Sequence, residues 1–273
     1  MVGLPVIFAM GLLQATALTP PSPAYVAMGS SFAAGPSIGL KDPAAPAPCW
    51  RSRDNYAQQL ARKRHLSLAD RSCSGATTPD LLTHRQFGLP PQIDGLGPET
   101  ELVTVTIGGN DVGYMADLGA ASCRNASRGA CPTTNAEPLE PRFVKLRADL
   151  TELAQAVHHR SPKAVLIFVN YVTLLPAQGG CPDKAPLQAA ELGEFRTRLA
   201  RINAVTDEVA QQNGARVLHA SDLSLGHDLC SAAPWVNGWN THGPDGTRWA
   251  PYHPNLAAMT AIAEALDRML NTP

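Results

Sequence analysis

The chain is predicted to fold as an α/β protein of three layers, with helices covering both faces of a parallel sheet of about five strands. Three observations predict this. Strand-length apolar runs alternate with helix-length segments, which is the βαβ pattern. The runs over 101–107 and 164–170 are rich in Val, Ile and Leu, as strands buried on both faces must be. The loops after the first and third runs carry hydroxyl and amide groups, at the strand ends where open α/β sheets place their ligands.

The elements are expected in this order. Residues 2–18 are largely apolar, and Ala15-Thr16-Ala17 offers a small-x-small cleavage site. Pro20, Pro21 and Pro23 then form a spacer, so 1–23 reads as a signal peptide and linker and 24–273 as a single domain. No Lys or Arg precedes Lys41, so the usual basic start of a signal peptide is absent. Pro5, Gly11 and Gln14 interrupt the apolar run, which argues against a membrane-spanning helix. Strands are expected at 25–29, 66–70, 101–107, 164–170 and 216–220. Helices are expected at 55–65, 80–87, 141–159, 186–213 and 255–270. The stretch 123–141 reads as an excursion loop.

Four short blocks carry the candidate chemistry. Gly29-Ser30-Ser31-Phe32-Ala33-Ala34-Gly35 follows the first strand, and its small residues allow a tight exit that presents a hydroxyl. Cys73-Ser74-Gly75-Ala76-Thr77 follows the second strand, and Gly108-Gly109-Asn110-Asp111 follows the third. His253-Pro254-Asn255 opens the last helix, with Pro254 suited to its first position and His253 near its N-cap. Singly, each block has a plain structural reading. Gly75 serves as a turn glycine, Asn110-Asp111 as a cap or Asx turn, and His253 as a structural histidine. Order and combination carry the functional reading.

This ordered set resembles the SGNH hydrolase family, also called GDSL esterases and lipases. The family's first block is Gly-Asp-Ser-x-x-x-Gly, which makes Ser31 the nucleophile. Its second block supplies a glycine, here Gly75. Its third, Gly-x-Asn-Asp, matches Gly108-Gly109-Asn110-Asp111, and its last carries the histidine, here His253. The resemblance runs from about Tyr25 to about Leu266. It implies a flavodoxin-like three-layer fold and carboxylic-ester hydrolysis through an acyl-enzyme on Ser31, with His253 as general base. It also implies an oxyanion hole made of the Ser31 and Gly75 main-chain N–H groups and the Asn110 side-chain amide. Neither metal nor organic cofactor is needed.

Two positions depart from the family pattern. Ser30 replaces the aspartate of the first block, which bears on loop bracing more than on chemistry. The triad acid is expected three residues before the histidine, where this chain has Ala250. Some family members work as Ser-His dyads oriented by a main-chain carbonyl. The expectation here is a dyad oriented by the Ala250 carbonyl, with Asp245 or Asp222 as the rival displaced acid.

Composition agrees with a globular enzyme. The 273 residues suffice for one sizeable core. A formal net charge of −1 gives no field to attract nucleic acid or an anionic membrane. The 44% hydrophobic content excludes a disordered chain, although 24 prolines and 22 glycines make it loop-rich. Six cysteines without Cys-x-x-Cys spacing argue against a zinc ribbon or redox motif and for an exported protein, secreted or held in the cell envelope. Residue spacing alone leaves their connectivity open. Exported six-cysteine lipases of the family pair them in order, which implies Cys49–Cys73, Cys123–Cys131 and Cys181–Cys230.

Trp235, Trp239, Trp249, Tyr252 and Phe32 cluster near the blocks and could wall an acyl or sugar site. The expected partner is a lipid or small acyl ester bound by a monomer, with no nucleic acid and no integral membrane span. Carbohydrate O-deacetylation is the alternative activity. A non-catalytic binding protein on the same fold is the alternative class.

Overall fold

The computed structural model describes residues 22–127, 129–134, 137–240, 242 and 248–271. The expected signal segment, up to residue 21, and Asp245 lie outside the described residues.

Five strands form one parallel sheet: β1 (Tyr25–Gly29), β2 (Leu68–Asp70), β3 (Leu102–Thr106), β4 (Val165–Val169) and β5 (Arg216–Leu218). Their order is β2-β1-β3-β4-β5. The chain thus builds outward from β1 in one direction, then returns to β1 and builds the other way. That reversal makes a topological switch point between β1 and β3, and a crevice opens there at the strands' carboxyl ends. All five residues of β1 and of β3 are buried.

The helices are α1 (Ser31–Ala34), α2 (Tyr56–Arg64), α3 (Thr78–Leu82), α4 (Tyr114–Asn125), α5 (Leu139–Arg160), α6 (Ala189–Gln212), α7 (Ala220–Leu223) and α8 (Leu256–Leu270). Helix α2 packs on α8, while α5 packs on α3 and α6. These two groups flank the sheet, and one continuous apolar cluster joins all three layers. Alternation along β3 sorts its side chains. Thr104 and Thr106 face α2, where their hydroxyls meet Tyr25 at 2.7 Å and Tyr56 at 3.0 Å. Both phenols are fully buried, and these bonds satisfy hydroxyls that would otherwise be costly there.

The expected strands all form, the first with its expected bounds and the other four with trimmed ends. The strand expected from 66 starts at Leu68, because the Leu66 N–H bonds back to Ala61 and completes the exit of α2. The one expected to 220 stops at Leu218, because Ala220 opens α7. The helix expected over 80–87 is α3, which starts two residues earlier. Thr77 and Asp80 form a reciprocal capping box there. Helix α4 was not expected, and it occupies the start of the expected 123–141 loop. Its buried face is Tyr114, Asp117, Leu118 and Ala121, a helical spacing diluted by an aspartate, by Gly119 and by small residues. The final helix starts later than expected: Asn255, not His253, is its N-cap, accepting from the Ala258 N–H at 3.2 Å.

The disulfides are Cys49–Cys73, Cys123–Cys131 and Cys181–Cys230. The first closes a 24-residue span and sits beside the end of β1, where the Cys73 N–H bonds the Gly29 carbonyl at 3.0 Å. Removing it as the Cys49→Ser, Cys73→Ser double variant should cost about 3 kcal/mol of stability by loop entropy. Denaturant unfolding measures this, and an unchanged midpoint would contradict it.

Candidate active site

Gly29 ends β1 with φ at +137°, and a Cβ there would lie 2.3 Å from the Thr106 carbonyl oxygen. Only glycine lets β1 leave the sheet so close to β3. The Ser30 N–H then bonds Thr106 at 3.0 Å, and the chain turns into the single turn of α1. Gly35 ends that turn in the left-handed region, with its N–H on the Ser31 carbonyl at 2.9 Å. Ser31 therefore stands at the switch point, 7% exposed.

His253 arrives from the other end of the chain. Its carbonyl accepts from the Asn237 N–H at 3.0 Å, and the next residues are tied to Pro234 and Trp235 through Asn255. This strap holds the imidazole with Nε2 2.7 Å from the Ser31 hydroxyl, across 222 residues of sequence. Nδ1 lies 2.7 Å from the Pro251 carbonyl. A carbonyl only accepts, so Nδ1 carries the proton and Nε2 is left to accept from Ser31.

The partner of Nδ1 corrects one expectation: it is the carbonyl of Pro251, not of Ala250. Ala250 accepts instead from the His253 N–H at 3.3 Å and from the Asn237 amide at 3.1 Å. Pro251 and Tyr252, the latter with φ at +60°, occupy the centre of the turn that the first of these bonds closes. Proline at the first central position and a positive φ at the second mark a type II turn, with Tyr252 in the place that favours glycine. The central peptide turns the Pro251 oxygen toward the ring. The buried Tyr252 hydroxyl bonds Ser122 at 2.6 Å and anchors the turn on α4. Asp222 lies in α7, outside the cleft around Ser31, beside Ser221.

Gly75 and Asn110 reach the same cleft, which has a volume of about 360 Å³. Gly75 takes φ at +84°. Among the described residues, no acceptor within the chain meets the N–H of Gly75 or of Ser31. One hydrogen of the Asn110 amide goes to the Ala76 carbonyl at 2.9 Å, which leaves the other free to donate. Asp111 fixes that loop from behind. Its Oδ1 accepts from the Thr78 N–H at 2.8 Å and meets the Thr78 hydroxyl at 2.6 Å. Burial pushes the Asp111 carboxyl above the usual carboxylate range, and the Thr78 bonds pull it back.

Sequence reasoning missed Tyr171, just past the end of β4. Its buried hydroxyl accepts from the Gly109 N–H at 2.8 Å. Asn203 of α6 clamps the Tyr171 backbone at both its N–H (2.9 Å) and its carbonyl (3.0 Å). The Tyr171 ring packs on Phe32, which packs in turn on His253. A tyrosine at the carboxyl end of a strand beside the switch point was the available signal. The aromatic wall also differs from expectation. Trp249 lines the cleft, but Trp235 stacks on His227 and Trp239 packs on Tyr252. Trp50, not expected, lines the cleft too. Among the described residues, no three His, Cys, Asp or Glu side chains group as a metal site requires.

A serine hydroxyl on an imidazole, at the carboxyl ends of a parallel sheet and with N–H donors nearby, defines the class of serine hydrolases on an open α/β fold. The family model of GDSL-like lipases and acylhydrolases matches residues 27–261. The chain belongs to that family and is a carboxylic-ester hydrolase. It is 31% identical to lipase 2 of Streptomyces coelicolor, over 94% of this chain and 90% of the relative. It is similar to the crystal structure of an extracellular lipase from Streptomyces rimosus at 26% identity. That match has a TM-score of 0.69 and covers 89% of this chain and 98% of the other. The phospholipase A1 structure from Streptomyces albidoflavus shares the fold, with a TM-score of 0.69 at 24% identity, covering 91% and 99%.

Two predictions follow from this geometry. Burial lowers the pKa of His253 from 6.5 to about 4, opposed by its bond to Pro251. An imidazole accepts a proton only when neutral, so if activity depends on His253 the acid limb of kcat/KM should fall near pH 4, and a limb near 6.5 would contradict the burial argument. The unfolded chain binds more protons between those values. The histidine's share of stability is therefore full above pH 6.5 and is lost as pH falls toward 4. Tyr171→Phe should leave the Gly109 N–H buried without an acceptor and cost about 1–3 kcal/mol. Thermal unfolding and kcat should both report it, with KM nearly unchanged.

Proposed function

We propose that the protein cleaves acyl esters through an acyl-enzyme on Ser31, with His253 as general base and then general acid. The 2.7 Å contact between Ser31 Oγ and His253 Nε2 carries this reading. As the hydroxyl oxygen bonds the ester carbon, its proton passes to Nε2. The oxyanion that forms meets the N–H groups of Ser31 and Gly75 and the Asn110 amide. The tetrahedral species then expels the alcohol, which takes the proton from Nε2. Water, activated by the same nitrogen, repeats the sequence to release the acid and restore Ser31.

The pair works as a dyad. The Pro251 carbonyl sets the tautomer and ring orientation that a triad acid would set. It carries no full charge, so it stabilises the imidazolium less than a carboxylate does. The substrate is an acyl ester of lipid or small-alcohol type, because Trp50, Trp249, Met115 and Pro36 give the cleft an apolar wall. Export of one domain that follows a signal segment agrees with three disulfides and with the extracellular lipase it resembles.

A fluorophosphonate probe should label wild-type protein at Ser31 and leave Ser31→Ala unlabelled. Labelling that persists in Ser31→Ala would move the nucleophile elsewhere. Asn110→Ala should lower kcat on a nitrophenyl ester by about 10² to 10³ with the fold intact. An unchanged kcat would remove Asn110 from the oxyanion site.

A further inference from the structure

Among the described residues, the wall of the cleft beside Ser31 carries charge of one sign only. Arg248 lines that cleft, and it also lines the adjoining hollow formed by Ser37, Ile38, Gly39 and Lys41. Among the described residues, no acidic side chain lines either one. Asp42 and Asp54, close in sequence to Lys41 and Trp50, are already engaged: Asp42 holds the buried Arg51 at 2.9 Å, and Asp54 holds Arg62 at 3.2 Å. Among the described residues, Arg248 and Lys41 form no ion pair. Both are exposed. The guanidinium lies over the Trp50 ring, 5.9 Å from its centroid. That ring is 48% exposed, and Leu40 beside it is 67% exposed. The protein's net charge is only −1, so this cationic, aromatic rim is a local feature and not an overall bias.

An exposed arginine in a reaction cleft, with a second cation nearby and no carboxylate among the lining residues, suits an anionic group on the substrate. The guanidinium fork matches a phosphate's paired oxygens better than a point charge does. Trp50 and Leu40 on the same rim suit an apolar chain, which a free inorganic anion lacks. We infer that Arg248, assisted by Lys41 and Trp50, is a specificity residue that receives the phosphodiester of a glycerophospholipid while one of its acyl esters lies at Ser31. The inference rests on the ester-hydrolase reading of Ser31 and names the substrate that this site selects.

The test compares wild type, Arg248→Ala and Arg248→Lys on three substrates. These are phosphatidylglycerol and diacylglycerol, each in neutral detergent micelles, and soluble nitrophenyl butyrate. Arg248→Ala should raise KM for phosphatidylglycerol about tenfold to a hundredfold, the scale of a lost charge-assisted bond, with kcat nearly unchanged. Arg248→Lys should recover part of the loss. Diacylglycerol and nitrophenyl butyrate should be turned over as by wild type, which also reports an intact fold. Equal losses on diacylglycerol, or no loss on phosphatidylglycerol, would overturn the assignment.

A binding arm uses the uncleavable dialkyl-ether analogue of phosphatidylglycerol in the same micelles. Wild type should bind these micelles more tightly than micelles of the uncharged ether lipid, and Arg248→Ala should bind both alike. This arm reads the anion site even if no ester is cleaved, so failure of the hydrolase reading and failure of this one are separable. Inorganic phosphate that occupies the site as tightly as the ether lipid would assign it to a free anion and overturn the lipid reading.

Discussion

The close pairing of β1 with β3 is the constraint on which the site depends. Because Gly29 has no Cβ, the chain crosses the Thr106 carbonyl at a distance no side chain would allow, and Ser30 then bonds that same oxygen. The exits of the two strands are thereby brought together. One exit carries Ser31 and the other carries Asn110. Parallel pairing places both exits at the same edge of the sheet, and the switch in strand order keeps a helix from covering them. A bulkier residue at position 29 would part Ser31 from Asn110 without altering either one chemically.

The histidine is held by backbone where a family member with a full triad uses a carboxylate. A carbonyl fixes the proton on Nδ1 at no cost of burying a second charge. Burial lowers the His253 pKa, and the bond to the Pro251 carbonyl offsets only part of that. The turn that presents this carbonyl has its own anchorage, through Tyr252 to Ser122 and through Asn237 to Ala250. The orientation of the imidazole is thus a property of a braced turn rather than of one acidic side chain.

The Asn110 loop has a neutral brace of its own: the buried Tyr171 hydroxyl accepts from the Gly109 N–H. Burial raises the Tyr171 pKa well above its ordinary value, and the hydroxyl keeps its proton at working pH. The same tyrosine supports Phe32, which supports the His253 ring. Around the His253 ring the bracing is therefore hydroxyls, amides and carbonyls, and among the described residues Arg248 and Lys41 at the rim form no ion pair.

The sequence by itself determined the strand positions, the α/β class and the four blocks, because apolar runs, small-residue turns and block order are local properties of the chain. It also placed Ser31, Gly75, Asn110 and His253 in a common site by resemblance, and the geometry brings these four to one cleft. It misplaced the start of the last helix and passed over α4, whose buried face is diluted by small residues and an aspartate. Only the tertiary structure decided that Pro251 and not Ala250 faces the imidazole, because that depends on which way one peptide turns. Only it brought Tyr171 under Gly109 and set Arg248 beside Trp50, since those residues lie 62 and 198 positions apart and meet through packing that no local pattern encodes.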